Sequence, residues 1–351
     1  MMRAFEVVFV CTVLSCVLVG LMRILALRVG ILDAPNSRSS HGVETARGGG
    51  VVIAVLTIAA VLLEYKSAHL SAWVACAWAA GGGVVAAVGF CDDLWGLPAG
   101  VRAAVHVLAA CLLVYVSAGL PSLPTPSGPV QLGPAGWIVA ALAVVWSTNL
   151  YNFMDGIDGI AATQCIFVTA SVLVLAGLTG SALSVQIPLL ALAGSTAGFL
   201  IWNHSPARIF MGDVGSGFIG FSLAAGALLT ANRGAINLWT WLALNGLFLA
   251  DATTTLLVRL IDGQRIYQAH RSHAYQRLAR RWKSHGKVTA LCVAINVLWC
   301  LPWAVLTVFY PGHGWLWSFV SLVPLFAIAL MVGAGRADSW SFIRRMQSSR
   351  P

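Results

Sequence analysis

The sequence predicts an all-α protein, a polytopic bundle of about 11 transmembrane helices folded as a single integral membrane domain over residues 1–351. Three observations carry this expectation. Hydrophobic residues make up 59% of the chain and charged residues 9%. Soluble domains carry about 25% charged residues, so too few charges are present to build a water-facing surface. Charge-free stretches of 52, 49 and 48 residues separate Arg102 from Asp155, Asp158 from Arg208, and Lys287 from Arg336. At about 20 apolar residues per crossing, each stretch holds two helices and a turn. The third observation is that the charges fall on one side of the predicted bundle.

In chain order, helices are expected near 5–27, 49–63, 70–90, 101–119, 135–151, 160–178, 184–202, 214–231, 237–258, 287–308 and 315–334. The first is too long for the core of a secretory signal, about 7–15 residues, and no small-residue cleavage site follows it. The second is the shortest. The spans at 101–119 and 135–151 share the first charge-free stretch, around the turn-rich, uncharged loop PSLPTPSGPVQLGPAG at 121–136. Those at 160–178 and 184–202 share the second stretch, and those at 287–308 and 315–334 the third. No internal repeat or separate soluble domain is visible.

Alternation of loops puts the segments near 28–48, 91–102, 152–159, 203–213 and 259–287, with the C-terminal tail, on one face. Of the 21 Lys and Arg, only Arg3, Lys66 and Arg233 fall on the other. Lys and Arg mark the cytoplasmic side, so the N-terminus is expected outside and the C-terminus inside. The net charge of +9 is then a one-sided field suited to anionic lipid and anionic substrates. No basic stripe with interleaved aromatics appears, which argues against nucleic acid. The 8 Cys have no paired metal spacing and read as packing residues. The 14 Trp read as interface anchors.

Five segments on the charged face carry chemistry. DAPNSRSSHGVETARGGG (33–50) has glycines that let backbone approach a phosphate, with a flexible connector as the competing reading. In GFCDDLWGLP (89–98), Asp92 and Asp93 repel and stay ionised together only near cations, which favours a metal or general-base role over an ordinary helix-end pair. In STNLYNFMDGIDGIAA (147–162), Asn149, Asn152 and Asp155 recur every three residues on one helical face, followed by Asp158; a polar helix cap is the alternative. WNHSPARIFMGDVGSGFIG (202–220) sets Asp213 before a glycine-rich helix start, where capping competes with a functional role. RLIDGQRIYQAHRSHAYQRLARR (259–281) offers His270 and His273 among arginines such as Arg271, which suit phosphate but also contact lipid. Carboxylates converging at a membrane surface suggest Mg²⁺, a hard ion that shares oxygen ligands with substrate phosphates. Within a span, Asp251 with Thr253, Thr254 and Thr255 is either a satisfied polar cluster or a functional acid.

The strings DDLWGLP, NLYNFMDGIDGIAA, NHSPARIFMGDVGSG and HRSHAYQRL, in that order across about residues 30–290, resemble the polyprenyl-phosphate N-acetylhexosamine-1-phosphate transferases of glycosyltransferase family 4. That family includes the translocase of peptidoglycan lipid synthesis and the enzymes that initiate O-antigen and teichoic-acid lipids. The resemblance implies phosphoryl transfer, in which undecaprenyl phosphate attacks the β-phosphorus of a UDP-linked amino sugar and UMP leaves. It implies Mg²⁺, with Mn²⁺ as a substitute, held by Asp213 and joined by Asp92. Asp92 or Asp93 would orient or deprotonate the lipid phosphate. Direct displacement is favoured over a covalent phospho-enzyme, because the attacking phosphate is already an anion. Asn152, Asp155 and Asp158, with Asn149, match the nucleotide and metal-proximal motif. Asn203 matches an asparagine ahead of FMGD, His270 and His273 match the histidine motif near the diphosphate, and Arg102 falls where the family often has a basic residue.

The peptidoglycan translocase has three consecutive histidines where this chain has His270-Arg271-Ser272-His273. That departure points away from a muramyl-pentapeptide and toward the O-antigen-initiating branch, whose donors are UDP-N-acetylhexosamines, 6-deoxy sugars such as N-acetylfucosamine or N-acetylquinovosamine included. A secondary transporter of an anionic substrate is the second class of function. It would show paired repeats and midplane charges, whereas this chain has no repeat and its acids cluster at one surface. Oligomeric state is left open, a homodimer being one expectation.

Overall fold

The computed structural model describes residues 2–33, 44–264 and 270–336. Parts of two segments singled out above, 34–43 and 265–269, lie outside these residues, as does the tail from 337. The described chain is helical apart from two short strands. The helices are α1 (Met2–Val29), α2 (Gly50–Lys66), α3 (Ala72–Trp95), α4 (Ala99–Val116), α5 (Pro134–Met154), α6 (Ile160–Leu178) and α7 (Gln186–Asn203). They continue with α8 (Asp213–Asn232), α9 (Leu238–Leu244), α10 (Gly246–Ile261), α11 (Ala274–Trp282), α12 (His285–Ile295), α13 (Leu301–Phe309) and α14 (Gly314–Val332). The strands β1 (Leu32–Asp33) and β2 (Thr45–Ala46) pair antiparallel.

Each expected span falls on one or more helices, but these differ in what they can cross. Among the described residues, eight helices are long and apolar enough to span a bilayer, nine if α9 and α10 count together. Of the eleven expected crossings, α2, with 17 residues, and α7, which runs from Gln186 to Asn203, fall outside that group. The expected continuous span at 237–258 is also corrected: it bends by 74° between α9 and α10. At the break stands Asn245, whose Nδ2 donates to the Trp241 carbonyl (2.9 Å) and whose Oδ1 accepts from the Tyr151 hydroxyl (2.9 Å). A side-chain amide there competes with the helical ladder. α12 and α13 join through a π turn at Asn296–Cys300.

Local signals fix several ends. Ser71 Oγ accepts from the Val74 N–H at the start of α3, and Gly96 closes that helix at φ 67°. Ser284 Oγ accepts from the Lys287 N–H before α12. Trp73, Leu108, Ile138, Leu142, Leu298 and Met331 are exposed, as suits lipid-facing positions. α8 sits at the centre, almost wholly buried, against α3, α5 and α2.

Between lipid-embedded helices hydrophobic burial adds little, so packing relies on close backbone approach. Gly194 and Gly198 of α7 face Val8 and Thr12 of α1, where an added Cβ would collide with the two carbonyl oxygens. Gly220 of α8 meets Ser147 and Thr148 of α5 in the same way, and the Ser147 hydroxyl donates to the Gly220 carbonyl (2.7 Å). Gly198→Leu is expected to destabilise the protein by roughly 1–3 kcal/mol through overpacking. A melting curve in detergent checks this; an unchanged midpoint would mean that α1 and α7 can separate freely.

Candidate active site

The site is built where α3 meets the start of α8. A Cβ on Gly89 would strike the backbone of Asp213 and Val214, so glycine lets α3 lie directly on the α8 terminus. One turn further along α3, Asp92 and Asp93 reach that terminus. Asp93 turns to the backbone: its Oδ1 accepts the Asp213 N–H (2.9 Å) and its Oδ2 the Val214 N–H (3.3 Å). These are two of the four free N–H groups that open a helix, and a carboxylate there also meets the positive end of the helix dipole. Gly212, at φ 78°, leaves the room that a side chain would take from Asp93.

Two guanidinium groups hold Asp213. Arg47 Nη2 lies 2.6 Å from Asp93 Oδ1 and 3.0 Å from Asp213 Oδ1. Arg102 Nη1 lies 2.6 Å from Asp92 Oδ2 and 3.4 Å from Asp213 Oδ2. Asp92 also accepts the Leu97 N–H (2.6 Å). Burial works against a charged Arg47, but Asp93 and Asp213 outweigh it and hold the guanidinium protonated. Arg47 is the functional residue that sequence reasoning missed. Its segment was singled out for its glycines, and nothing in its spacing points 46 residues ahead to Asp93.

Beside this cluster lies a cavity of about 460 Å³, lined by Arg102, Asn149, Asn152, Asp213, His270 and His273, and also by His106, Phe153, Tyr275 and Gln276. The Asn152 amide lies 3.3 Å from Ser216 Oγ. Asn149 Nδ2 donates to the Val145 carbonyl (2.8 Å) and lies 3.4 Å from His106 Nδ1. His106 was not anticipated, although it stands four residues after Arg102 on the same helix face. His270 and His273 stack with ring centroids 5.0 Å apart.

Burial, with His273 and Arg259 nearby, pushes His270 down to about 3. His270 is therefore a neutral ring at working pH. In the unfolded chain it titrates near about 6.5, so below that pH the unfolded state binds the extra proton and stability falls with falling pH. The melting temperature should drop between about pH 7 and about pH 5, and His270→Gln should flatten part of that slope. An identical slope in the variant would assign the loss to other groups.

The donor set fits a hard cation. Asp92 and Asp213, from two helices, both reach the same Arg102 nitrogen. No cluster of three or more His, Cys, Asp or Glu able to hold a metal occurs among the described residues. Of the two acids, Asp213 opens to the cavity, and one or two carboxylates suffice for Mg²⁺ when phosphate oxygens complete its shell.

The sequence profile described as glycosyl transferase family 4 matches residues 73–231, which run from α3 through α8 and include Asp92, Asp93 and Asp213. The decaprenyl-phosphate N-acetylglucosaminephosphotransferase of Mycolicibacterium smegmatis is 32% identical over 78% of this chain and 74% of its own length. The chain belongs to the polyprenyl-phosphate hexosamine-1-phosphate transferase family. Two further relatives are similar over most of their length. The probable undecaprenyl-phosphate N-acetylglucosaminyl 1-phosphate transferase of Bacillus subtilis is 28% identical over 86% of this chain and 84% of its own. The undecaprenyl-phosphate alpha-N-acetylglucosaminyl 1-phosphate transferase of Yersinia pestis is 29% identical over 74% and 72%.

In this family member not every expected residue meets the cavity. Asn203 is buried and structural: its Oδ1 accepts the Gly159 N–H (3.0 Å) and its Nδ2 donates to the Ile209 carbonyl (2.9 Å). Asp158 accepts the Ala207 N–H (3.2 Å) and pairs with His285 Nδ1 (3.1 Å). Burial raises the Asp158 pKa, but the His285 and backbone bonds outweigh it and hold the carboxyl below its usual range. Together Asn203 and Asp158 clamp the 155–159 turn to the 203–209 loop. Asp155 ends α5, and burial, reinforced by the charge of Asp213, lifts its carboxyl well above the usual range. Arg271 is exposed, and its carbonyl accepts from Arg280 (2.8 Å). Neither Asp155 nor Arg271 lines the cavity.

Proposed function

We propose that this transferase moves an N-acetylhexosamine-1-phosphate from a UDP-linked amino sugar to undecaprenyl phosphate, at the cytoplasmic face of a bacterial inner membrane. The observation that carries the proposal is the pairing of Asp92, Asp93 and Asp213 with Arg47 and Arg102 beside a cavity lined by Asn152 and two histidines. Both substrates are anions, so a site for their reaction has to supply positive charge and hard ligands together. The bond formed joins a lipid phosphate oxygen to the β-phosphorus. The bond broken joins that phosphorus to the oxygen bridging to UMP, which leaves with the electron pair.

Asp213, which lines the cavity, would hold Mg²⁺, with Asp92 joining it on exchange of its Arg102 contact. When bound, the ion would screen the diphosphate and neutralise charge on the leaving group. Arg102 lines the cavity and carries cationic donors suited to phosphate oxygens. Asn152 and Asn149 offer amide groups to the nucleotide-sugar. Asp93 is occupied by two backbone N–H groups and Arg47, so its role is to hold the α8 start and Arg47 in place. Asp92, bound to Arg102 and the Leu97 N–H, is likewise engaged. Both observations favour direct attack by the ionised lipid phosphate over a covalent aspartyl intermediate.

The relatives named above carry N-acetylglucosamine in their names, which makes UDP-N-acetylglucosamine the first donor to test. The string HRSHAYQRL supports the O-antigen-initiating branch and keeps 6-deoxy donors in the panel. The test is purified protein with undecaprenyl phosphate, Mg²⁺ and labelled UDP-N-acetylhexosamines, read as UMP release with lipid-linked product. Mg²⁺-dependent product from one donor is expected. No product from any donor, alongside substrate flux into sealed vesicles, would replace the transferase with a transporter.

A further inference from the structure

α10 carries a buried acid, Asp251, that the mechanism above does not use. Its carboxylate meets four groups. Oδ1 accepts the Ala274 N–H (2.9 Å) and the Thr255 hydroxyl (3.2 Å) and lies 3.3 Å from His273 Nδ1, while Oδ2 accepts the Tyr275 N–H (2.9 Å). The bend at Asn245 sets the course of α10, so an acid from one element caps the first turn of α11, as Asp93 of α3 caps α8.

The contact with His273 has a chemical consequence. A carboxylate has only acceptors to offer, so a hydrogen bond to Asp251 calls for the hydrogen on His273 Nδ1 and leaves Nε2 as the ring nitrogen for a ligand. The ring cannot readily turn to exchange the two. It is 2% exposed, stacked on His270 (centroids 5.0 Å, 27° between planes) and on Phe153 (6.3 Å, 28°). It also lines the cavity that holds Asp213.

We propose that Asp251 is a positioning residue for the transfer reaction: it fixes the His273 ring and its Nδ1–H tautomer, so that Nε2 meets a hydroxyl or amide N–H of the nucleotide-sugar. This rests on the function proposed above. In it Nε2 accepts that hydrogen bond, and the carboxylate behind the ring keeps the hydrogen on Nδ1. No covalent step passes through either residue.

A double-mutant cycle with Asp251→Asn and His273→Gln tests the proposal. Asp251→Asn is expected to lower kcat about 10²-fold with a smaller change in KM for the nucleotide-sugar. In the His273→Gln background the same change should remove little more. Full activity in Asp251→Asn would overturn the proposal, as would an equal loss in both backgrounds, since a mere cap for α11 acts without His273. If Asp251→Asn does not fold, nitrogen NMR of histidine-labelled wild-type protein decides, with His273→Gln giving the assignment. A protonated Nδ1 on His273 is expected, and a bare Nδ1 with Nε2–H would overturn it. The NMR arm needs no turnover, and wild-type turnover on the donor panel is the separate control for the transferase reading itself.

Discussion

Asp213→Ala should lower the transfer rate by about 10³-fold and leave the protein folded. Its carboxylate is the one group shared by both arginines, 3.0 Å from Arg47 and 3.4 Å from Arg102. Removal leaves each arginine with its nearer partner, Asp93 or Asp92, at 2.6 Å, so no buried charge is orphaned. The N–H of residue 213 still caps onto Asp93. The loss should therefore appear in kcat and in the Mg²⁺ concentration needed for half-maximal rate, with the melting temperature nearly unchanged. Full activity in this variant would remove Asp213 from the site.

Arg47→Gln should reduce both stability and turnover. Asp93 has a side chain 2% exposed and Arg47 one 27% exposed. Breaking a buried pair from one side costs about 3–5 kcal/mol, and the partial exposure of Arg47 brings the expectation down to roughly 2–3 kcal/mol. Two carboxylates, Asp93 and Asp213, then face each other without their shared cation. Adding Asp93→Asn should recover most of the melting temperature, because the unpaired charge is gone, without recovering turnover. Recovery of both would make Arg47 a structural residue only.

Most of the residues gathered at this site were legible in the sequence, and the way they divide their contacts was not. Asp92 and Asp93 stand out as adjacent acids at a helix tip, but a sequence treats neighbours alike. The packing of Gly89 against the α8 start is what turns Asp93 to two backbone N–H groups and Asp92 to Arg102. Asn203 and Asp158 stand at motif positions that imply substrate contact, yet Asn203 spends its bonds on loop backbone across the 155–159 and 203–209 turns, and Asp158 is taken by the Ala207 N–H and His285. Such pairing depends on two loops meeting, which spacing along one chain does not encode. Arg47 is the extreme case, since its partners lie on α3 and α8. The bend between α9 and α10 did leave a trace, the Asn245-Gly246 dipeptide, a common turn signal. Continuous hydropathy on both sides masks it.

In the proposed reaction the β-phosphorus travels with the sugar to the lipid. UDP-N-acetylglucosamine labelled at the β-phosphate, incubated with purified protein, undecaprenyl phosphate and Mg²⁺, tests it directly. The label should enter the lipid fraction while unlabelled UMP appears in water. Label leaving as UDP, with sugar alone on the lipid, would contradict it.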